Sequence, residues 1–107
     1  MAGVKLIVQY PCPKDIEAFE KVYLSEHVPM AVAKLAGKTR IVASKGIAAP
    51  QGVPAFYRVV EIYFPSMQAL QACAESAGGK QTIANAVSIS SGGPPVFLIA
   101  EEETFTF

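Results

Sequence analysis

A chain of 107 residues with nine basic and nine acidic residues carries no formal net charge, and its scattered Lys and Arg form no stripe able to neutralise phosphates, which argues against nucleic acid as a partner. It is 51% hydrophobic and only 17% charged, against about 25% charged in typical soluble chains, so a single domain over 1–107 has more apolar surface than a monomer of this size hides well, and a homo-oligomer is expected. No apolar run approaches the roughly 18 residues of a membrane span, and MAGVKLIVQY has one lysine and no cleavage-type ending; Cys12 and Cys73 lack metal or redox spacing, so the expectation is a cytoplasmic protein with reduced thiols, no metal, no cofactor and no membrane contact.

The elements follow in order. VKLIVQY (4–10) is a β-branched and aromatic run closed by Pro11 and Pro13, and predicts a strand. A helical pattern runs from 14 to about 35, with Asp15 as N-terminal cap or first-turn acid and Gly37 as the stop. TRIVASKGI (39–47) predicts a second strand, AAPQGVP a loop, and AFYRVVEIYF (55–64) the strongest strand of the chain. After Pro65, Ser66 caps a helix over about 67–77, which Gly78 and Gly79 are expected to break. KQTIANAVSI is a further short helical piece, SSGGPP a loop, and VFLIAEEE a last strand.

The fold class is therefore α+β, the ferredoxin-like order β-α-β-β-α-β: a four-stranded antiparallel sheet with its helices on one face. In the strand 55–64, Phe56, Arg58, Val60, Ile62 and Phe64 share one side, and Tyr57, Val59, Glu61 and Tyr63 the other. Both sides are richer in aromatic and β-branched residues than a solvated face would be. A second copy packed face to face would cover the side without helices, so a homodimer is expected. The tail TFTF (104–107) alternates polar and apolar, and Phe105 and Phe107, each able to contribute ~1.5–3 kcal/mol on burial, are expected to pack on the partner or the barrel end.

Chemistry centres on one residue. There is no G-x-S-x-G, and a single histidine makes no H-E-x-x-H zinc site. GGK at 78–80 fails the phosphate-loop pattern on both flanks, because Ala74 and Gln81 stand where Gly and Ser/Thr are needed, and it reads as a helix boundary. EEE at 101–103 is a solvated strand end or an interface rim. At about 100° per residue, Ile16, Phe19, Tyr23, His27 and Met30 fall in one stripe, with Ala31 a turn beyond His27. Pro29 cannot donate to the Ser25 carbonyl, so a kink is expected at 25–28 that opens space beside His27. A desolvated histidine stays neutral near pH 7 and serves as general base or hydrogen-bond donor. The same position equally suits a core histidine satisfied by a backbone carbonyl or a tyrosine hydroxyl. Tyr57, Arg58 and Glu61 are weaker candidates. Glu61 stands mid-strand on an otherwise apolar face, where an unpaired carboxylate is costly; parity sets it on the opposite face from His27, so the two form no dyad.

FEKVYLSEHVPMAVAKLAG, ASKGI and YRVVEIYFPSMQALQACAESAGGKQTIANA together resemble the EthD family, small bacterial proteins of the dimeric α/β-barrel group associated with ethyl tert-butyl ether degradation operons. The resemblance spans about 19–103. Its most specific part is the pattern Tyr-x-x-x-His-x-Pro, matched by Tyr23, His27 and Pro29. Pro65 departs from the acidic residue usual in the family, at a helix lead-in that touches no chemistry. The resemblance implies a homodimeric barrel and a pocket in each subunit beside His27. Relatives of the barrel group include muconolactone-type isomerases, cofactor-free oxygenases, dehydratases and decarboxylases of aromatic polyketides. The expectation is a cofactor-independent lyase, isomerase or oxygenase acting on a small hydrophobic catabolic or polyketide-type molecule. His27 would be base or proton shuttle, Tyr23 and Tyr57 would orient the substrate, and Arg58 and Glu61 would be further binding residues. The alternatives are an accessory protein that binds such a compound without turnover, and a structural dimer with a vestigial pocket.

Overall fold

In a computed structural model describing residues 3–107, the chain forms β1 (Val4–Pro11), α1 (Ile16–Val22), a π-helical turn (Tyr23–His27), α2 (Val28–Lys34), β2 (Arg40–Lys45), β3 (Phe56–Phe64), α3 (Met67–Glu75), α4 (Ala77–Ile89) and β4 (Val96–Glu101). The strands make one antiparallel sheet in the order β2-β3-β1-β4. This is the expected ferredoxin-like arrangement. α3 packs on β1 and β3, and α4 packs on α2 and the π turn.

Caps form as the sequence suggests. The Asp15 carboxylate accepts from the Ala18 N–H, and the Ser66 hydroxyl oxygen accepts from the Ala69 N–H, each satisfying a first-turn donor that has no intrahelical partner. α2 ends at Lys34, and Gly37 turns the chain with a φ of 86° that favours glycine.

The first helical segment differs from expectation. Where a kink is expected at 25–28, the irregularity takes the form of a π turn over Tyr23–His27, in which the Val28 N–H reaches the Tyr23 carbonyl five residues back. Pro29 falls in the first turn of α2, where a missing N–H is tolerated. The buried positions are Phe19, Tyr23, His27, Ala31 and Leu35, one every fourth residue. Ile16 is 45% exposed and Met30 only half-buried, so the ends of the expected stripe are displaced.

The second departure concerns the paired glycines. The break falls at Ser76, whose hydroxyl donates to the Cys73 carbonyl at 2.6 Å and accepts from the Gly79 N–H at 3.0 Å. Gly78 and Gly79 lie inside the first turn of α4, a thirteen-residue helix. What needs glycine here is a close approach: a Cβ on Gly79 would stand 1.8 Å from the Cys73 carbonyl oxygen of α3.

Strand parity holds from Arg58 onward: Arg58, Val60, Ile62 and Phe64 are buried under the helices, while Val59, Glu61 and Tyr63 are half-buried on the other face. Parity fails at Tyr57, where the register against β1 shifts and the half-buried ring meets Phe19 of α1 instead of the open face. The tail phenylalanines are exposed in the single chain, Phe105 to 76% and Phe107 fully.

Gly79→Ala sets helix propensity, which favours alanine by about 1 kcal/mol, against a backbone collision that must shift α3 from α4. The collision should win. We expect a net loss of about 1–3 kcal/mol in urea unfolding, with Gly3→Ala, which meets nothing within 4 Å, as the neutral reference. An unshifted midpoint for Gly79→Ala would contradict the packing described here.

Candidate functional site

The helix-facing sides of β1 and β3 supply Val8, Tyr10, Val60 and Ile62, and the π turn and α2 face them with Tyr23, His27 and Ala31. Between these layers lies a cavity of about 320 Å3, closed on its far side by α3 and α4. Its wall is apolar apart from Tyr10, Tyr23, His27, Cys73 and Thr82.

His27 is buried yet reaches this cavity. Its Nε2 is 3.2 Å from the Tyr10 hydroxyl, and its Nδ1 is 2.7 Å from the Asn85 side-chain oxygen. An amide oxygen accepts only, so Nδ1 carries the proton and Nε2 accepts from the Tyr10 O–H. Burial holds the His27 pKa below the ordinary imidazole value, and the hydrogen bond to Asn85 offsets part of that shift. Burial also pushes the Tyr10 and Tyr23 hydroxyls up, so both stay protonated at neutral pH.

Spacing by four builds an aromatic column. Phe19 stacks on Tyr23 with centroids 5.6 Å apart, and Tyr23 on His27 at 5.8 Å. Tyr10 meets the rings of Phe19, Tyr23 and His27 edge-on. The column is held from outside by Arg58, whose guanidinium lies 4.8 Å from the Tyr23 ring centroid. Arg58 is itself clamped by Glu20, with Nε donating at 3.0 Å and Nη2 at 2.6 Å. These charge-assisted bonds hold the Glu20 carboxyl below its ordinary range and raise Arg58.

Of the residues singled out in the sequence, Tyr23 and His27 come together at the cavity. Arg58 reaches it only through Tyr23. Tyr57, at the irregularity where the β1–β3 register shifts, turns its ring edge-on to Phe19 of α1 with centroids 6.0 Å apart, whereas Glu61 points to the face without helices. Glu61 pairs there with Lys5 at 2.5 Å, and Lys5 also reaches Glu102 at 3.3 Å. Tyr57 borders a shallow surface hollow with Cys12 and Ile16. Tyr10 and Asn85 escaped the sequence reading. Tyr10 shares its strand face with Leu6 and Val8, a parity signal that was available; nothing local marks Asn85. Among the described residues no group of three His, Cys, Asp or Glu could hold a metal ion, and no helix is long and apolar enough to cross a membrane.

Comparison with known proteins locates this arrangement. The EthD domain model matches residues 13–87, which hold Tyr23, His27 and Asn85. An uncharacterized 11.0 kDa protein of the thcB-thcC intergenic region in Rhodococcus erythropolis is 29% identical over 100 residues, covering 94% of this chain and 95% of its own. The crystal structure of an ethyl tert-butyl ether d (EthD) family protein from Bacillus halodurans superposes with a TM-score of 0.86 at 29% identity, covering 94% of this chain and 99% of that one. SnoaB, a cofactor-independent oxygenase from Streptomyces nogalater, shares the fold at a TM-score of 0.61 and 11% identity, over 100% of this chain and 97% of its own.

The depressed His27 pKa carries a stability consequence. Below about 6.5 the unfolded chain binds a proton at this imidazole while the folded ring stays neutral. The unfolded state then holds more protons, so stability falls as pH drops from about 6.5 toward the folded pKa. Melting temperature between pH 7 and 5 should therefore decline more steeply for wild type than for His27→Gln. Parallel curves would show that burial does not suppress protonation at this site.

Proposed function

The chain belongs to the EthD family, and from that premise we propose that it binds a small, largely apolar molecule in the cavity beside His27 and carries out cofactor-independent proton-transfer chemistry on it. In this reading His27 is the proton acceptor and Tyr10 and Tyr23 orient the ligand. The supporting observation is the pairing of a neutral imidazole, its Nε2 lone pair directed at the Tyr10 hydroxyl, with an apolar cavity of about 320 Å3. A base desolvated at an apolar wall acts without competition from water. The reaction belongs to the lyase, isomerase or oxygenase class, and catabolic or polyketide-type compounds have the required apolar character. The cofactor-independent oxygenase that shares the fold is a precedent at the level of architecture alone.

A second reading, binding without turnover, has its own observation. Both His27 ring nitrogens are engaged by protein groups, while Arg58 and Glu61 are committed to Glu20 and Lys5. A ligand would have to displace the Tyr10 hydroxyl to reach Nε2 directly.

We further propose a cytoplasmic homodimer formed through the sheet face without helices. Ile7, Val42, Val59 and Leu98 share that face by register, and Val96 and Leu98 on β4 are 45% and 51% exposed in the single chain. Among its charged groups Lys5 pairs with Glu61 and Glu102, and Arg40, exposed on the outer strand β2, lies over the Tyr63 ring at 4.2 Å.

Two measurements test these readings. Thermal melts with small apolar oxygen-bearing compounds should reveal stabilising ligands of the wild-type protein, and His27→Ala should abolish their effect or their turnover with the fold intact. If His27→Ala instead costs about 1–3 kcal/mol of stability, as expected for a lost buried hydrogen bond, with ligand affinity unaltered, the site role is refuted. Light scattering at micromolar concentration should give twice the chain mass, and deleting residues 104–107 should weaken the assembly. A stable monomer would refute the dimer.

A further inference from the structure

The Asn85 side chain does something that packing alone does not require. It comes from α4, is half-buried, and directs an acceptor oxygen to His27 Nδ1 at 2.7 Å across 58 positions of sequence. The opposite ring nitrogen meets the Tyr10 hydroxyl. A neutral imidazole has one donor and one acceptor nitrogen, and which is which follows from the partner that can play only one part. Tyr10 can donate or accept, so it dictates nothing. The Asn85 amide is turned with its oxygen, not its NH2, toward Nδ1, and in that orientation it can only accept.

We propose that Asn85 is a positioning residue that fixes His27 as the Nδ1–H tautomer, so that the Nε2 lone pair is held toward Tyr10 in the cavity wall. The inference deepens the proton-transfer reading and rests on it for its purpose, though not for its test. With the tautomer fixed, the chain Asn85–His27–Tyr10 has one direction: the Tyr10 O–H donates to Nε2, and Nδ1–H donates to Asn85. Electron density is thereby drawn onto the Tyr10 oxygen, and a proton released in the cavity travels toward the imidazole. In the opposite tautomer Nε2–H would donate to Tyr10 and no base would face the cavity. Second partners that orient a working imidazole through its far nitrogen play the same part in metal sites and in hydrolytic triads.

The groups around the ring are few. β1 contributes Tyr10, the π turn contributes Tyr23, β3 contributes Arg58 behind Tyr23, with Glu20 of α1 neutralising it, and α3 contributes the Cys73 thiol across the cavity. None of these can stand in for the acceptor at Nδ1.

Because His27 is the only histidine of the chain, its ring nitrogens are directly assignable in a 15N-labelled sample of the full protein. Wild type at neutral pH should show the Nδ1–H tautomer. Asn85→Leu, close in size and lacking the acceptor, should shift the ring toward the Nε2–H form or a mixture. Asn85→Asp, which keeps an acceptor at the same place, should retain Nδ1–H and move the titration upward by a unit or more, since a carboxylate favours the imidazolium. An unchanged tautomer in Asn85→Leu would overturn the proposal, and so would an Nε2–H wild type. If Asn85→Leu fails to fold, the Asn85→Asp titration decides alone: no upward shift would mean that residue 85 does not address Nδ1. None of these spectra needs a ligand, so a cavity that binds nothing would refute the proposed function and leave the tautomer result standing.

Discussion

An α-helix advances about 100° per residue, so side chains placed every fourth position drift by about 40° at each step. Phe19, Tyr23, His27, Ala31 and Leu35 are nonetheless all buried against one sheet. The π turn at Tyr23–His27 makes this possible. Its wider winding takes up the accumulated drift midway, and the second half of the segment resumes facing the sheet. Pro29 helps to set where this happens. In continuous α-helix it would leave the Ser25 carbonyl without its donor, whereas at the start of a new α segment its missing N–H costs nothing. The aromatic column, the seating of His27 beside the cavity and the contact of the π turn with α4 all depend on that one change of winding.

Charge is disposed so that the imidazole is left neutral and alone. On the helix side of the sheet the buried cation Arg58 is matched by Glu20 with two hydrogen bonds, and its positive charge reaches the column only through the face of Tyr23. On the other face Lys5, Glu61, Glu102 and Tyr63 form a closed cluster. Hydrogen bonds to Tyr63 and Lys5 hold the Glu102 carboxyl low, and the bond to Glu61 raises Lys5. A carboxylate at the place of Asn85 would have favoured imidazolium; a neutral amide orients the ring without supplying charge. The result is an imidazole whose proton affinity is set chiefly by burial.

How much of this was legible in the sequence depended on whether the signal was local. Period-two alternation gave the faces of β3 correctly from Arg58 to Phe64, including the separation of Glu61 from His27, because strand parity needs only neighbours; it failed at Tyr57, where a register shift against β1 that parity does not see turns the ring to Phe19. The caps at Asp15 and Ser66 were equally local. The π turn was half legible: Pro29 marked the place, but the every-fourth spacing of buried residues was read as a narrower α stripe, which overvalued Ile16 and Met30. Gly78 and Gly79 were read as a helix stop because glycine breaks helices by default, whereas here the pair admits the carbonyls of Lys34 and Cys73. For Tyr10 parity could show the face but not the partner, and for Asn85 nothing local could show either. Their partner lies 17 and 58 positions away, and no one-dimensional pattern announces a tertiary hydrogen bond.

The cavity and the core share the same side chains. Val8, Ile62, Phe64, Leu70 and Ala86 belong to both, so what forms a binding wall is also what holds the domain together. Atoms lining a void lack dispersion partners on one side, and a domain this small has little burial to spare. Ala31, Ala43, Ala74 and Ala86 stand on the wall at positions where larger side chains would fill the space. Keeping them small gives up stability that packing could supply, a pattern expected where a site is kept open for function. A fitting apolar ligand reverses the loss: it restores the missing contacts and, at about a hundred times its Kd, adds about 2.7 kcal/mol to the folded state by mass action. Under the proposed function, affinity for the ligand and stability of the fold are then two readings of one set of contacts, with His27 one of the few polar groups on the wall.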